Sequence, residues 1–216
     1  MRVYLKLSMT LAMIGAVAFM TGCTAVGSVM KADPVLTKSD ISKLSANPAD
    51  SCLLFGGFSG LSFTPKDTFN IVLDTTSGQQ TLSPARPSAT SSVIPFTFAG
   101  VPKGDFAISW ILRDAWYGET DWLKKPVMEK LTFGTPPAGE QKSSKMGGHG
   151  DIHADLKGKC DGGFIWLGFY TINKGGMLSN SKLERKTSLE YYDKDKYLNS
   201  IREQVKGTAW EAAIKK

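Results

Sequence analysis

Histidine is scarce in this chain: two in 216 residues, His149 and His153, both in one short segment. Any chemistry built on imidazole therefore has one place to sit. The run Gly57-Phe58-Ser59-Gly60-Leu61 carries Leu where a nucleophile elbow needs its closing glycine. The phosphate-cradling glycine loop, the dinucleotide fingerprint, the paired-cysteine zinc spacing and the EF-hand loop are all missing. These gaps weigh against an enzyme. There is no block of five like charges, and the net charge of +6 is spread along the chain. Such a distribution suits anionic envelope polymers or lipid headgroups, and nucleic acid is not an expected partner. The most apolar stretch, Leu7 to Phe19, is 13 residues long, well short of the roughly 20 that cross a bilayer.

That stretch nevertheless has flanks that mean something. Arg2 and Lys6 precede it, and Met20-Thr21-Gly22-Cys23 closes it with small residues ahead of a cysteine. A basic start, a short apolar run and a small-residue end read as an export signal. The ending resembles the lipobox of bacterial lipoproteins, with Met20 where such motifs usually carry Leu. The resemblance implies cleavage after Gly22, a diacylglyceryl thioether on Cys23 and acylation of the new amino group. Thr24 follows, where by the same resemblance an Asp would retain the protein at the inner membrane. The expected location is thus the cell envelope, lipid-anchored, at the outer membrane if the cell has two. The covalent lipid is the one non-protein group expected.

Once Cys23 is assigned to the anchor, Cys52 and Cys160 remain as an even pair in an oxidising compartment, and a disulfide is expected between them. Two buried free thiols are the alternative. The chain then divides into a signal (1–22), a lipid-anchored tether (23–50), a β domain (51–192) and a C-terminal helical tail (193–216). Residues 24–50 hold few large apolar side chains. Thr37-Lys38-Ser39-Asp40 can start a short helix through Leu44, which Asn47-Pro48 ends.

The β signals run in series. Cys52 to Phe58 is apolar and bounded by glycines. Phe69, Ile71 and Leu73 alternate, and Val93 to Ala99 is a strand whose Pro95 argues for an edge or a bulge. Asp105 to Arg113 alternates most clearly, with Phe106, Ile108, Trp110 and Leu112 expected on one face. Pro126 to Phe133 is a further candidate, Gly134 to Gly148 reads as a loop, and Lys182 to Tyr192 as a late strand. Phe164 to Ile172 is apolar on both faces, with Phe164, Trp166 and Tyr170 expected on one and Ile165, Leu167 and Phe169 on the other. Such a strand needs cover on both sides. Tyr197, Leu198, Ile201 and Val205 form a helical stripe after Asp193. Gly207 is placed to end that helix, and Thr208 with Glu211 to cap another. Docked on the sheet, this tail would supply the cover. The fold expected is mainly β, a single antiparallel sandwich of prealbumin-like or immunoglobulin-like type.

The string Phe96-Thr97-Phe98-Ala99-Gly100-Val101-Pro102-Lys103-Gly104-Asp105-Phe106-Ala107-Ile108 resembles prealbumin-like domains of the carboxypeptidase-regulatory kind. Those domains join two aromatic strands by a Val-Pro-x-Gly turn, where Pro sets φ and Gly takes a positive φ. The resemblance implies a small β-sandwich and brings no catalytic residue with it.

Two constellations carry possible chemistry. If extended, His149, Asp151, His153 and Asp155 share one strand face, and imidazole with carboxylate suits a divalent metal such as zinc. The two histidines would then lie about 13 Å apart, too far for one ion, so a solvated strand face is the plainer account. Trp116, Tyr117 and Trp122, beside Glu119 and Asp121, are candidates for contact with an envelope protein or polysaccharide. The competing role is to cap the end of the core. The reading reached is a non-catalytic, lipid-anchored envelope protein serving as a binding or structural module. A metal-dependent enzyme using residues 149–155 is the alternative.

Overall fold

The computed structural model describes residues 35–59, 67–84, 93–119, 126–138, 148–173, 175, 180–186 and 194–214, with side-chain placement for all of these but 115–119, 126–129, 194 and 196. They form a mainly β unit with a few short helices. A helix α1 (Lys38–Lys43) and a 3-10 turn at Pro48–Asp50 precede the first strand. The strands are β1 (Ser51–Ser59), β2 (Thr68–Thr75), β3 (Gly78–Leu82), β4 (Val93–Pro102), β5 (Gly104–Glu119), β6 (Pro126–Gly134), β7 (His149–Gly150), β8 (Lys157–Cys160), β9 (Gly163–Asn173) and β10 (Lys182–Lys186). Helices α2 (Lys194–Gln204) and α3 (Ala209–Ala213) end the described chain.

The strands make two sheets, ordered β10-β9-β1-β4 and β3-β2-β5-β6-β7, with β8 paired to the start of β5. We call them the first and second sheet. Each is mixed, which corrects the expectation of antiparallel pairing throughout. β9 lies parallel to β1 in the first sheet, and β7 parallel to β6 in the second. β1 and β9 are far apart in sequence, so no hairpin turn dictates their relative direction. β4 is an edge strand, one of the two placements that Pro95 argued for.

One core cluster draws on both sheets: Leu54, Phe58, Phe96 and Tyr170 from the first, Ile71, Leu73, Ile108 and Phe133 from the second. All nine residues of β1 are buried, because both its faces are covered. Leu54 and Phe58 point into the shared core, while Leu53 and Phe55 point outward into a separate cluster. Two glycines in β1 are where neighbouring rings cross the strand. A Cβ on Gly56 would stand 2.5 Å from Phe96, and one on Gly57 would stand 2.6 Å from Phe169.

That outward cluster is the docked tail. Leu198, Ile201, Val205, Trp210 and Ile214 pack with Leu53, Phe55 and Ala99, and with Phe164, Trp166 and Tyr197 at the margin. The expected stripe does face the sheet. Gly207, at φ +77°, follows the first helix of the tail. Thr208 Oγ1 accepts from Trp210 N, and Glu211 Oε2 accepts from Gly207 N, one residue before the position a reciprocal capping box would use.

Three expectations need correction, two for one cause. In β9 the pairing to β1 skips Leu167, and Gly168 sits at φ +104°. This bulge reverses the alternation: Phe169 turns outward against Trp166 and Tyr197, and Tyr170 turns into the core. In β5 the pairing to β2 skips Ser109. Phe106, Ile108 and Ile111 therefore point into the shared core, while Trp110 and Leu112 join Val72 on the other face. Third, the expected tether is folded from Val35 onward. Val35 and Leu36 are buried in the outward cluster, and Thr37 and Asp40 form a capping box on α1. The anchor region, residues 139–147 of the expected Gly134–Gly148 loop, and residues 187–192 of the expected late strand lie outside the described residues.

Candidate functional site

The segment with both histidines does not form an extended row. Only His149–Gly150 is strand; Asp151 to His153 is irregular, and Ala154–Leu156 is a 3-10 turn. His149 Nδ1 lies 3.2 Å from Thr132 Oγ1, a buried hydroxyl on β6. His153 caps the 3-10 turn, its Nδ1 accepting from Asp155 N at 3.2 Å. Its ring rests 5.3 Å from that of Tyr170. Asp155 is ion-paired to Arg185 of β10 and stands 3.8 Å from His153 Nδ1. Asp151 is exposed. Among the described residues no three His, Cys, Asp or Glu side chains are gathered as a metal would need.

The glycines around His149 have a structural reason. A Cβ on Gly148 would fall 2.0 Å from Ser181 Oγ, and one on Gly150 would fall 2.1 Å from Ser181 O. Ser181 N donates to His149 O at 2.9 Å, and Thr132 N donates to Gly148 O at 2.9 Å. Residues 148–150 thus fill the seam between β6 of the second sheet and the residue just before β10 of the first. At positions 148 and 150 the neighbouring atoms leave no room for a side chain, while that of His149 reaches Thr132.

Tyr170, whose ring meets that of His153, belongs to the shared core. It is fully buried and donates from its hydroxyl to Leu167 O at 2.7 Å. Burial pushes its pKa up to about 12, against a smaller downward pull from Arg185. It is a structural group, held neutral.

The opposite corner of the body is stapled. Cys52 and Cys160 are disulfide-bonded, with Cα atoms 5.8 Å apart. Both sulfurs are buried, and Cys160 Sγ lies 3.5 Å from Val101 O, where β4 is about to turn into β5. The bond joins β1 of the first sheet to β8 of the second.

Beside this corner an open groove of about 790 Å³ crosses the ends of β2, β5 and β8. Register places Asp74, Ala107 and Lys157 in one row across three strands, and Asp105 opposite Lys159 in the next. Ala107 is the small residue between Asp74 and Lys157, so the row dips at its centre. Thr75 and Thr76 form one wall, where Thr76 Oγ1 donates to Lys103 O at 3.2 Å. Lys159 pairs with Asp161 at 2.9 Å, and this hydrogen bond and charge raise its pKa, with Asp105 adding to the effect. The described lining offers carboxylates, ammonium groups and hydroxyls around a small apolar floor, which suits polar recognition. It contains no histidine or cysteine to serve as base or nucleophile.

Of the four candidate metal residues the structure brings His153 and Asp155 together, with no third such side chain gathered beside them among the described residues, while Trp116 and Tyr117 have side chains outside those described and Trp122 and Cys23 lie outside altogether. Sequence reasoning missed the groove, because its members come from three strands whose register only the fold supplies. No protein-family model, curated protein or solved structure matches this chain.

Proposed function

We propose that this chain is an exported lipoprotein, anchored through Cys23, whose folded part is a disulfide-stapled β-sandwich that binds a partner in the cell envelope. The buried Cys52–Cys160 bond carries the reading. A structural disulfide belongs to an oxidising compartment, which is where the signal-like start and the lipobox resemblance would send the chain. The mixed-charge groove of Asp74, Asp105, Lys157 and Lys159 supports a binding role toward an envelope protein or polysaccharide. The structural engagement of His149, His153 and Asp155 supports reading residues 149–155 as scaffold.

Fatty-acid labelling in cells tests the anchor: wild type should carry the label and Cys23→Ala should not. Labelling of both would overturn it. A photo-crosslinking residue placed at Lys157 should capture an envelope component that the same residue at Lys38 does not. Equal capture at both positions, or none at Lys157, would remove the groove from the reading. Stoichiometric zinc retained on dialysis and lost in His153→Ala would favour the metal alternative instead.

A further inference from the structure

Residues 35–50 lie between the anchor and the first strand, and they are seated on the domain in a specific way. Gln204 of α2 holds both backbone groups of Leu36: Leu36 N donates to Gln204 Oε1 and Gln204 Nε2 donates to Leu36 O, each at 2.9 Å. Farther along, Trp210 Nε1 donates to Ser45 O at 2.8 Å. Two glycines with positive φ make room for the segment. A Cβ on Gly100 would stand 2.5 Å from Lys43 O, and one on Gly162 would stand 2.6 Å from Ala49 O. The seat thus draws on the tail through Gln204 and Trp210 and on the body through Gly100 and Gly162.

It is also a light attachment. Within 35–50 only Val35, Leu36 and Asp40 are buried, whereas every residue of β1 is. Segments with little buried apolar surface open at lower free energy than the core they rest on. The clasp to Gln204 also sits near the start of the segment, one residue after Val35, whose carbonyl accepts from Thr97 Oγ1 at 3.4 Å, so a pull from the anchor reaches this end of the segment first.

We propose that residues 35–50 are a releasable strap that sets how far the domain stands from the membrane. The inference rests on the lipid anchor proposed above. With the strap seated, residues 24–34 separate it from Cys23, a contour of at most about 40 Å; with the strap lifted the separation is residues 24–50, at most about 90 Å. The device gives one protein a short and a long reach. Release leaves the disulfide, both sheets and the α2–α3 cover in place.

The test uses the full-length lipidated protein in vesicles and compares it with Gln204→Ala, a substitution that favours helix and removes only the clasp. The reporter is the Trp210 indole N–H, which bonds to Ser45 nine residues beyond the clasp. In the wild type it should exchange with solvent at least about tenfold faster than the amides of β1. In Gln204→Ala it should speed up by about another tenfold, the order expected for losing a pair of hydrogen bonds, while β1 stays unchanged. Energy transfer from a headgroup dye to a dye on Lys157→Cys should fall in the variant as the domain moves outward. Indole exchange in step with β1, indole exchange indifferent to Gln204→Ala, or an unchanged dye distance would each overturn the strap. Failure of the anchor itself shows separately, as absence of fatty-acid label on Cys23, while the exchange result is read on the folded domain alone.

Discussion

Cys52 and Cys160 bind β1 of the first sheet to β8 of the second, beside the carbonyl of Val101 where the chain passes between sheets. The two cysteines are 108 positions apart in sequence. Closing so long a loop restricts the unfolded chain strongly, and native disulfides typically contribute about 2–5 kcal/mol. Replacing both cysteines with alanine should lower the thermal midpoint of a truncated, anchor-free domain by many degrees, and reductant should do the same to the wild type. A midpoint insensitive to both changes would show that the two sheets hold together without the staple.

Arg113 and Asp67 form a buried ion pair at the end of the core, 2.7 Å from Nη2 to Oδ2, with the Nε bond to the same oxygen at 3.1 Å. Arg113 is buried on β5, and the Asp67 carboxylate lies against its guanidinium. Removing one partner of such a pair costs about 3–5 kcal/mol, because the other charge is left uncompensated. Asp67→Ala should lose that much in a urea titration. Replacing both residues with apolar ones should recover a good part of it. A double variant as unstable as the single one would mean that shape, rather than charge, is what the site requires.

Trp210 is 2 % exposed and sits in the outward cluster with Phe55 and Leu53, its indole bonded to Ser45. Truncating a buried Trp to Ala costs about 3–5 kcal/mol. Trp210→Ala should therefore destabilise the domain severely. Trp210→Phe should keep most of the packing and lose mainly the hydrogen bond. Ending the chain after residue 193 uncovers Leu53, Phe55 and Trp166 together, and an aggregating product is expected. A truncated domain that stays monomeric and folded would show that the tail is not needed to cover this face.

Tyr170 predicts a specific alkaline weakness. Its folded pKa of about 12 is raised above the ordinary 10.0 by burial. Between those values the unfolded chain gives up the phenolic proton and the folded chain keeps it, so the folded state binds more protons. Stability that is fully present below pH 10 should fall as pH rises toward 12, by about 1.4 kcal/mol for each pH unit in that window. Urea midpoints at about pH 9 and pH 11 should differ less in Tyr170→Phe than in the wild type. Equal differences would place the alkaline loss elsewhere.

Much of the local structure was legible before any fold was known. Phe69, Ile71 and Leu73 share a core face as their alternation required, and Pro95 lies on an edge strand. The stripe from Tyr197 to Val205 docks on the sheet, and Thr37 caps a short helix. Each of these depends on near neighbours in the chain: a period, a cap or a missing N–H donor. The cysteine pair was expected on the reading that Cys23 belongs to an anchor, with two free thiols as the alternative, and Cys52 and Cys160 are bonded.

Tertiary structure decided what depends on distant strands. A bulge is a mismatch between two strands, so the Ser109 and Leu167 insertions that turn Trp110, Phe169 and Tyr170 to other faces have no signature in either strand alone. The row of His149, Asp151, His153 and Asp155 has the right residue types for a metal, but residues 148–150 are pressed between Thr132 and Ser181, and the rest of the row bends into a capped turn. The groove joins Asp74, Asp105 and Lys157 only because β2, β5 and β8 are in register. The stretch that reads as a polar tether is seated by Gln204 and Trp210, more than 160 residues away. Composition and periodicity report what each segment tends to do, whereas pairing register and long-range contacts exist only once the segments meet.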